Sequence, residues 1–258
     1  MTTRVRADLE PYRVAVAELP DSAIASHDVD GVVVVVAGDD AWWQGASDAA
    51  SAGAAAVVVA RPSAAPVESL DALASLADAT PVVVERPLLR ADMVAGVSDS
   101  IEGLPAAGAL VVECHAPART LALALRDAIG WARVIAGAPL MLRAAESWGG
   151  RVLGLLESEH GAVVSVVAAL QSGAPSLGRV RITTVAGARV EIDADRDTVV
   201  AITDAAGRRI LPARFESSER VALRRAIAAA DTTRRSSDLA DLRHDTALAD
   251  ALRTGRSA

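Results

Sequence analysis

The chain has 258 residues, 52% hydrophobic and 23% charged, with a net charge of −7. That composition excludes a disordered chain, and the negative balance excludes broad binding to a phosphate backbone. All 26 of the Lys+Arg residues are arginine, so no Schiff-base or acid/base lysine is available, and the single Cys114 excludes an internal disulfide.

In chain order, Arg13 to Glu18 (RVAVAE) reads as a first strand, broken by Leu19-Pro20-Asp21. Val32 to Val36 form a β-branched run without alternation, which predicts a strand covered on both faces. An Ala-rich helix near Trp42 to Ala52 follows, closed by Gly53, and then a second valine strand at Ala56 to Val59. A helix over Pro66 to Ala77 has Pro66 and Glu68 in its first turn and Leu70, Leu73 and Leu76 on one stripe. With a strand at Val82 to Glu85, this alternation predicts a parallel α/β layer and a first domain of residues 1–105.

After Gly103-Leu104-Pro105 the texture changes. Ala109 to Cys114 reads as a strand, and Arg119 to Ala136 as a long apolar helix capped by Gly137. Strands then crowd together at Leu140 to Ala144, Arg151 to Glu157, Val163 to Leu170, Arg179 to Val185, Arg189 to Ile192, Thr198 to Thr203 and Arg209 to Leu211. His160-Gly161, Ala186-Gly187 and Ala206-Gly207 read as hairpin turns between them. The pattern predicts a mostly antiparallel sheet in a second domain, residues 106–258. Closing helices fall near Ser218 to Ala230 and Asp238 to Leu252, the last packing back on the first domain.

The order of these segments resembles the Gfo/Idh/MocA family of sugar and inositol dehydrogenases. VDGVVVVVAGDD followed by AWWQGASDAASAGAAAVVVARP is similar to the second half of that family's nucleotide-binding domain, where a strand leads into a helix, a glycine and then a strand ending in Glu-Lys-Pro. LALALRDAIGWARVIAGAPLMLRA, LGLLESEHGAVVSVVAALQSGAP and SSDLADLRHDTALADALRTG resemble, in turn, its long helix with the following strand, its hairpin and its closing helix. The resemblance spans residues 13 to 255. It implies a truncated Rossmann-like α/β domain joined to an α+β domain with an open, mostly antiparallel sheet.

The same resemblance marks what has gone. No two glycines stand two residues apart, so the dinucleotide fingerprint G-x-G-x-x-G is absent, and RVAVAE aligns with the family's second strand as if the first strand and helix were deleted. Glu18 then takes the ribose-binding acidic position. Arg61, before Pro62, replaces the catalytic lysine; a guanidinium clamps an anion but does not act as a general base at neutral pH. The family's His-x-x-Asp pair falls on Asp127 and Gly130, and Trp42 stands where many members carry a histidine near the cofactor. Arg61, Asp127 and Gly130 are therefore vestigial catalytic positions, and Glu18, Trp42 and Pro62 the weak cofactor-binding candidates.

Other chemistry is thin. The histidines, His27, His115, His160 and His244, lie far apart in sequence with no metal-ligand spacing, and Cys114 and His115 alternate on a strand and so face opposite ways. The doublets Arg208-Arg209, Arg224-Arg225 and Arg234-Arg235 lie among acidic residues and read as solvated surface. Trp42-Trp43 and Trp148-Gly149-Gly150 are unusual in a chain with six aromatic residues, and read either as packing or as a stacking surface. The expectation is a cytoplasmic, membrane-free protein that binds no nucleic acid. It is a degenerate, non-catalytic family member acting as a structural or regulatory subunit. Its open sheet would make a homo-oligomer, or a hetero-oligomer with an active paralogue. The alternatives are an NAD- or NADP-dependent sugar or polyol dehydrogenase and a binding protein for a sugar or an anion.

Overall fold

The computed structural model describes residues 2–77, 79–104, 106–185, 188–232 and 236–255. The Ala186-Gly187 turn and the Arg234-Arg235 doublet lie outside the described residues. The chain divides into two compact units, Met1–Pro87 with Phe215–Arg243, and Leu88–Arg214 with His244–Ala258.

The first unit holds β1 (Thr3–Arg6), α1 (Glu10–Ala17), β2 (Ala23–Ala25), β3 (Val33–Ala37), α2 (Trp42–Ser51), β4 (Ala56–Ala60), α3 (Val67–Leu76), β5 (Val82–Glu85) and α6 (Ser218–Thr232). Its strands form one parallel sheet in the order β2-β1-β3-β4-β5. Both faces are covered, which is why the valine runs do not alternate. Val33, Val35, Ala56, Val58 and Val83 pack against Tyr12, Ala15, Val16, Leu223 and Ile227, while Val34, Val57, Val59 and Val84 pack against Trp42, Ala46, Leu70, Leu73 and Leu242. The edge strand β5 is closed by a side chain: Val84 N–H donates to the Asp238 carboxylate (2.8 Å), which also takes two hydrogen bonds from Arg225.

Two sequence expectations change here. RVAVAE is not a strand but most of helix α1, which buries Tyr12, Ala15, Val16 and the following Leu19 at helical spacing and leaves Val14 exposed. The first strand and helix are therefore present as β1 and α1, in short form. Leu76, expected on the buried stripe of α3, is exposed.

The second unit contains α4 (Ala91–Ile101), an element with no counterpart in the sequence reading, and α5 (Leu121–Ala136). Its strands are β6 (Ala109–Ala116), β7 (Leu140–Trp148), β8 (Arg151–Ser158), β9 (Val163–Leu170), β10 (Arg179–Val185), β11 (Arg189–Ala194), β12 (Thr198–Asp204) and β13 (Gly207–Ile210). They form one sheet in the order β13-β12-β11-β10-β6-β9-β8-β7, antiparallel except for the β6–β9 pair. α7 (Asp238–Thr254) begins in the first unit and ends in this one. Gly137 caps α5 in the left-handed conformation, as its position predicts. Along β6, β8, β9, β10 and β11 buried residues alternate with more exposed ones. Leu110, Val112 and Cys114 of β6, Val164 and Val166 of β9, and Val180 and Ile182 of β10 pack with Leu125, Ile129 and Trp131 of α5. Gly154 on this face makes room for Leu252 of α7, since a Cβ there would lie 2.2 Å from the leucine. The opposite face is open, and it divides by chemistry. Val111, Leu153, Leu155, Val163 and Val167 are exposed on β6, β8 and β9, while Arg179, Arg181, Glu191, Asp193 and Arg208 gather on β10, β11 and β13.

Candidate functional site

In a parallel sheet the loops at the carboxyl ends of the strands, beside the point where strand order reverses, are where a ligand finds free backbone groups. That point lies between β1 and β3. The β1–α1 turn is only Ala7-Asp8-Leu9 and carries no glycine. Leu9 gives α1 no side-chain cap, Glu10 lies in the first turn, and Pro11 removes one N–H donor. A pyrophosphate at this helix start would meet the carboxylates of Asp8 and Glu10 where it needs bare N–H groups. Arg6 approaches Asp8 at 3.8 Å and Arg13 pairs with Glu10, so both nearby cations already have anions. These residues do not fit a dinucleotide.

The next loops are laced together. Gly38, after β3, lies so close to the end of β4 that a Cβ would stand 2.2 Å from Ala60 O and 2.6 Å from the Arg61 carbonyl. Ser63 N–H donates to Gly38 O (2.6 Å) and the Ser63 hydroxyl to Asp39 O (3.0 Å). Trp42 Nε1 in turn donates to Ser63 O (3.2 Å). Trp42 is 2% exposed and meets Trp43 edge to face at 6.1 Å. The pair fixes the loop, and Trp42 has no free face for a sugar or a nicotinamide ring. Pro62 is likewise buried.

At the ends of β4 and β5 stands a polar cluster that the sequence reading touched only at Arg61. Arg61 adopts a positive φ of 52°, which costs a non-glycine residue about 1 kcal/mol. Its half-exposed side chain bridges two carboxylates: Nε donates to Glu85 Oε1 (3.3 Å) and Nη2 to Glu219 Oε1 of α6. Glu85, 2% exposed at its side chain, also accepts from Tyr12 OH (2.9 Å) and Ser218 Oγ (2.7 Å). Burial, and then the Glu85 charge, push the Tyr12 phenol far above its ordinary range, so it stays a proton donor to Glu85. Burial alone would lower the Arg61 pKa, but Glu85 and Glu219 outweigh it and raise it, so the guanidinium keeps its proton. The cluster sets one guanidinium and one phenol, both held in their protonated forms, against two carboxylates. Sequence hints existed: Glu85 is the one carboxylate closing a buried valine strand, and Ser218-Glu219 opens a helix.

The remaining candidates lie apart from this cluster. Glu18 caps the end of α1 as an exposed carboxylate and meets Arg220 at 3.5 Å; it ends a helix, not the second strand. The first carboxylate after β2 is Asp28, held by Arg4 at 2.9 Å. Asp127 and Gly130 belong to α5 in the second unit, both buried, with Asp127 accepting from Arg126 Nε (3.1 Å) and both of those side chains 3% exposed. Burial, assisted by the Asp127 charge, pushes the Cys114 thiol up to about 12, which leaves it inert. His115 follows it on the open face of β6. Among the described residues no group of His, Cys, Asp and Glu is placed to hold a metal ion. None of the described helices is long and apolar enough to cross a membrane.

A groove of about 650 Å³ on the open sheet face is lined by Glu113, Arg179, Arg181, Glu191, Asp193 and Arg208, among others. Several of its charges pair with one another: Arg179 and Arg181 share Asp193, and Arg208 reaches Glu191 at 3.6 Å. The arginine doublets behave alike, Arg209 pairing with Asp204, Arg224 with Glu216 and Arg225 with Asp238.

No family model matches the sequence, and no curated protein matches it either. Solved structures do. UDP-N-acetylglucosamine 3-dehydrogenase GnnA from Acidithiobacillus ferrooxidans superposes with a TM-score of 0.76 at 14% identity, over 99% of this chain and 98% of its own. The dehydrogenase MviM from Clostridium difficile gives 0.72 at 10% identity, over 99% of both chains. This chain has the Gfo/Idh/MocA fold. KijD10, a 3-ketoreductase from Actinomadura kijaniata solved in complex with NADP, shares that fold with a TM-score of 0.67 at 16% identity, over 99% of this chain and 89% of its own. The arrangement of a parallel sheet followed by an open, mostly antiparallel one is thus shared with these structures over 99% of this chain.

Proposed function

We propose that this protein is a Gfo/Idh/MocA-fold subunit that does not transfer hydride and serves as an oligomer-forming structural or regulatory component. The observation that carries this reading is the Arg61 cluster. The residue at the position of the family's catalytic lysine is a permanent cation already bridged to Glu85 and Glu219. The carboxylates and proline at the start of α1 support it further, because they oppose the phosphate that a redox cofactor would place there.

The assembly surface in this reading is the apolar half of the open sheet face. Leu153 (42% exposed) pairs across strands with Val167 (38%), and Leu155 (41%) and Val111 (38%) extend the patch. An apolar area of this kind on a folded protein calls for cover, and a second copy or a paralogue with a like sheet supplies it. Replacing Leu153 and Val167 together by glutamate would bury two unpaired charges there. That change costs about 4 kcal/mol or more of association, roughly a thousandfold in the dissociation constant. Light scattering should show the wild type as an oligomer, the double variant as a monomer, and Arg61→Ala unchanged from wild type. A monomeric wild type, or an unaffected double variant, refutes the assembly role.

The second reading is an NAD(P)-dependent oxidoreductase acting on a sugar or polyol. It is favoured by one finding, the full-length likeness to dehydrogenases and a ketoreductase. It requires a cofactor held without the glycine turn and a proton carrier other than Arg61.

A further inference from the structure

His244, which neither reading uses, is the first residue of the last helix to belong to the second unit. Its ring lies between two elements. Nδ1 is 3.1 Å from Asp245 Oδ1 on its own helix, and Nε2 faces both backbone groups of Leu140, the first residue of β7, at 3.0 Å from the carbonyl oxygen and 3.3 Å from the nitrogen. Asp245 is fully buried and is gripped from α5 by Arg133, through Nε (3.0 Å) and Nη2 (3.3 Å). The charged groups facing the imidazole are thus Asp245 from α7 and Arg133 from α5, while β7 presents the Leu140 backbone.

We propose that His244 is a proton-dependent latch that fastens the second half of α7 to the start of the edge strand β7. The doubly protonated ring donates on both sides, to the Asp245 carboxylate and to Leu140 O, and so closes a chain from Arg133 to β7. The neutral ring keeps one proton. With that proton on Nδ1 the bond to Asp245 survives, the bond to Leu140 O is lost, and Nε2 turns to accepting the longer contact from Leu140 N–H. The hydrogen bond to Asp245 raises the His244 pKa above its ordinary value, against burial and the Arg133 charge. A histidine raised in the folded state adds stability that is complete below its unfolded value near 6.5 and is lost as pH climbs through the folded value. The latch is closed in mild acid and open in mild base.

Ring-nitrogen NMR of the wild-type protein, from about pH 5.5 to about pH 8.5, tests this without any substitution. His244 should keep its second proton to higher pH than an ordinary imidazole, whose value is about 6.5. Urea unfolding over the same range should then show the wild type losing stability through that titration and His244→Gln showing no such loss. A His244 that titrates at or below about 6.5 overturns the proposal, as do parallel pH curves for wild type and variant.

Discussion

Gly38→Ala is expected to destabilise the first unit by about 3 kcal/mol or more, more than removal of any surface ion pair. The reason is geometric. The added Cβ would lie 2.2 Å from the Ala60 carbonyl oxygen and 2.6 Å from atoms of Arg61, all main chain. Nothing on that side can turn away as a flexible side chain would. Ala60 is paired with Ala37 on one side and Glu85 on the other, and Arg61 is already held in a left-handed conformation. Relief would require moving the end of β4, and with it the bridge from Arg61 to Glu85 and Glu219. Urea unfolding followed by circular dichroism checks this; a loss below about 0.5 kcal/mol, the ordinary range of a surface change, would contradict it.

Trp131→Ala should cost about 3–5 kcal/mol, the range for emptying a large aromatic side chain from a core. Trp131 is completely buried in α5, and its Nε1 donates to Leu88 O at 2.6 Å. The substitution leaves a cavity among α5 and the buried face of the eight-stranded sheet, and also strands a buried carbonyl, which adds to the penalty. The urea midpoint should fall with the dependence on denaturant unchanged, and a loss under about 1 kcal/mol would mean the site collapses or is hydrated. Trp148, by contrast, is 46% exposed at the Gly149-Gly150 hairpin, and its replacement should leave stability nearly unchanged.

Much of this architecture is written in the sequence where burial is two-sided or strictly alternating. Val32 to Val36 and Ala56 to Val59 announce covered parallel strands, because both faces must be apolar. Arg179 to Val185 opens with the polar–apolar alternation of a half-covered strand, and the limits read for it and for Val163 to Leu170 coincide with β10 and β9. The first twenty-five residues are harder. RVAVAE alternates like a strand, yet Tyr12, Ala15, Val16 and Leu19 share a helical stripe that the alternation disguises. β1 buries one residue, Val5, and β2 one, Ala23, too few to leave a periodic signal.

The site was legible only at Arg61, because its partners come from distant segments. Tyr12, Glu85 and Glu219 are far apart in sequence and meet only once α1 and α6 cover the same face of the sheet. Glu18 and Trp42 drew attention by position along the chain. Glu18 proved to end a helix, and Trp42 is occupied in packing.

Calorimetric titration of the purified protein with NADH and with NADPH tests the central claim most directly. The carboxylates at the start of α1 and the bridged Arg61 predict no heat of binding and no thermal stabilisation with either nucleotide. Binding in the micromolar range to either one would contradict the non-catalytic reading and make the oxidoreductase the working hypothesis.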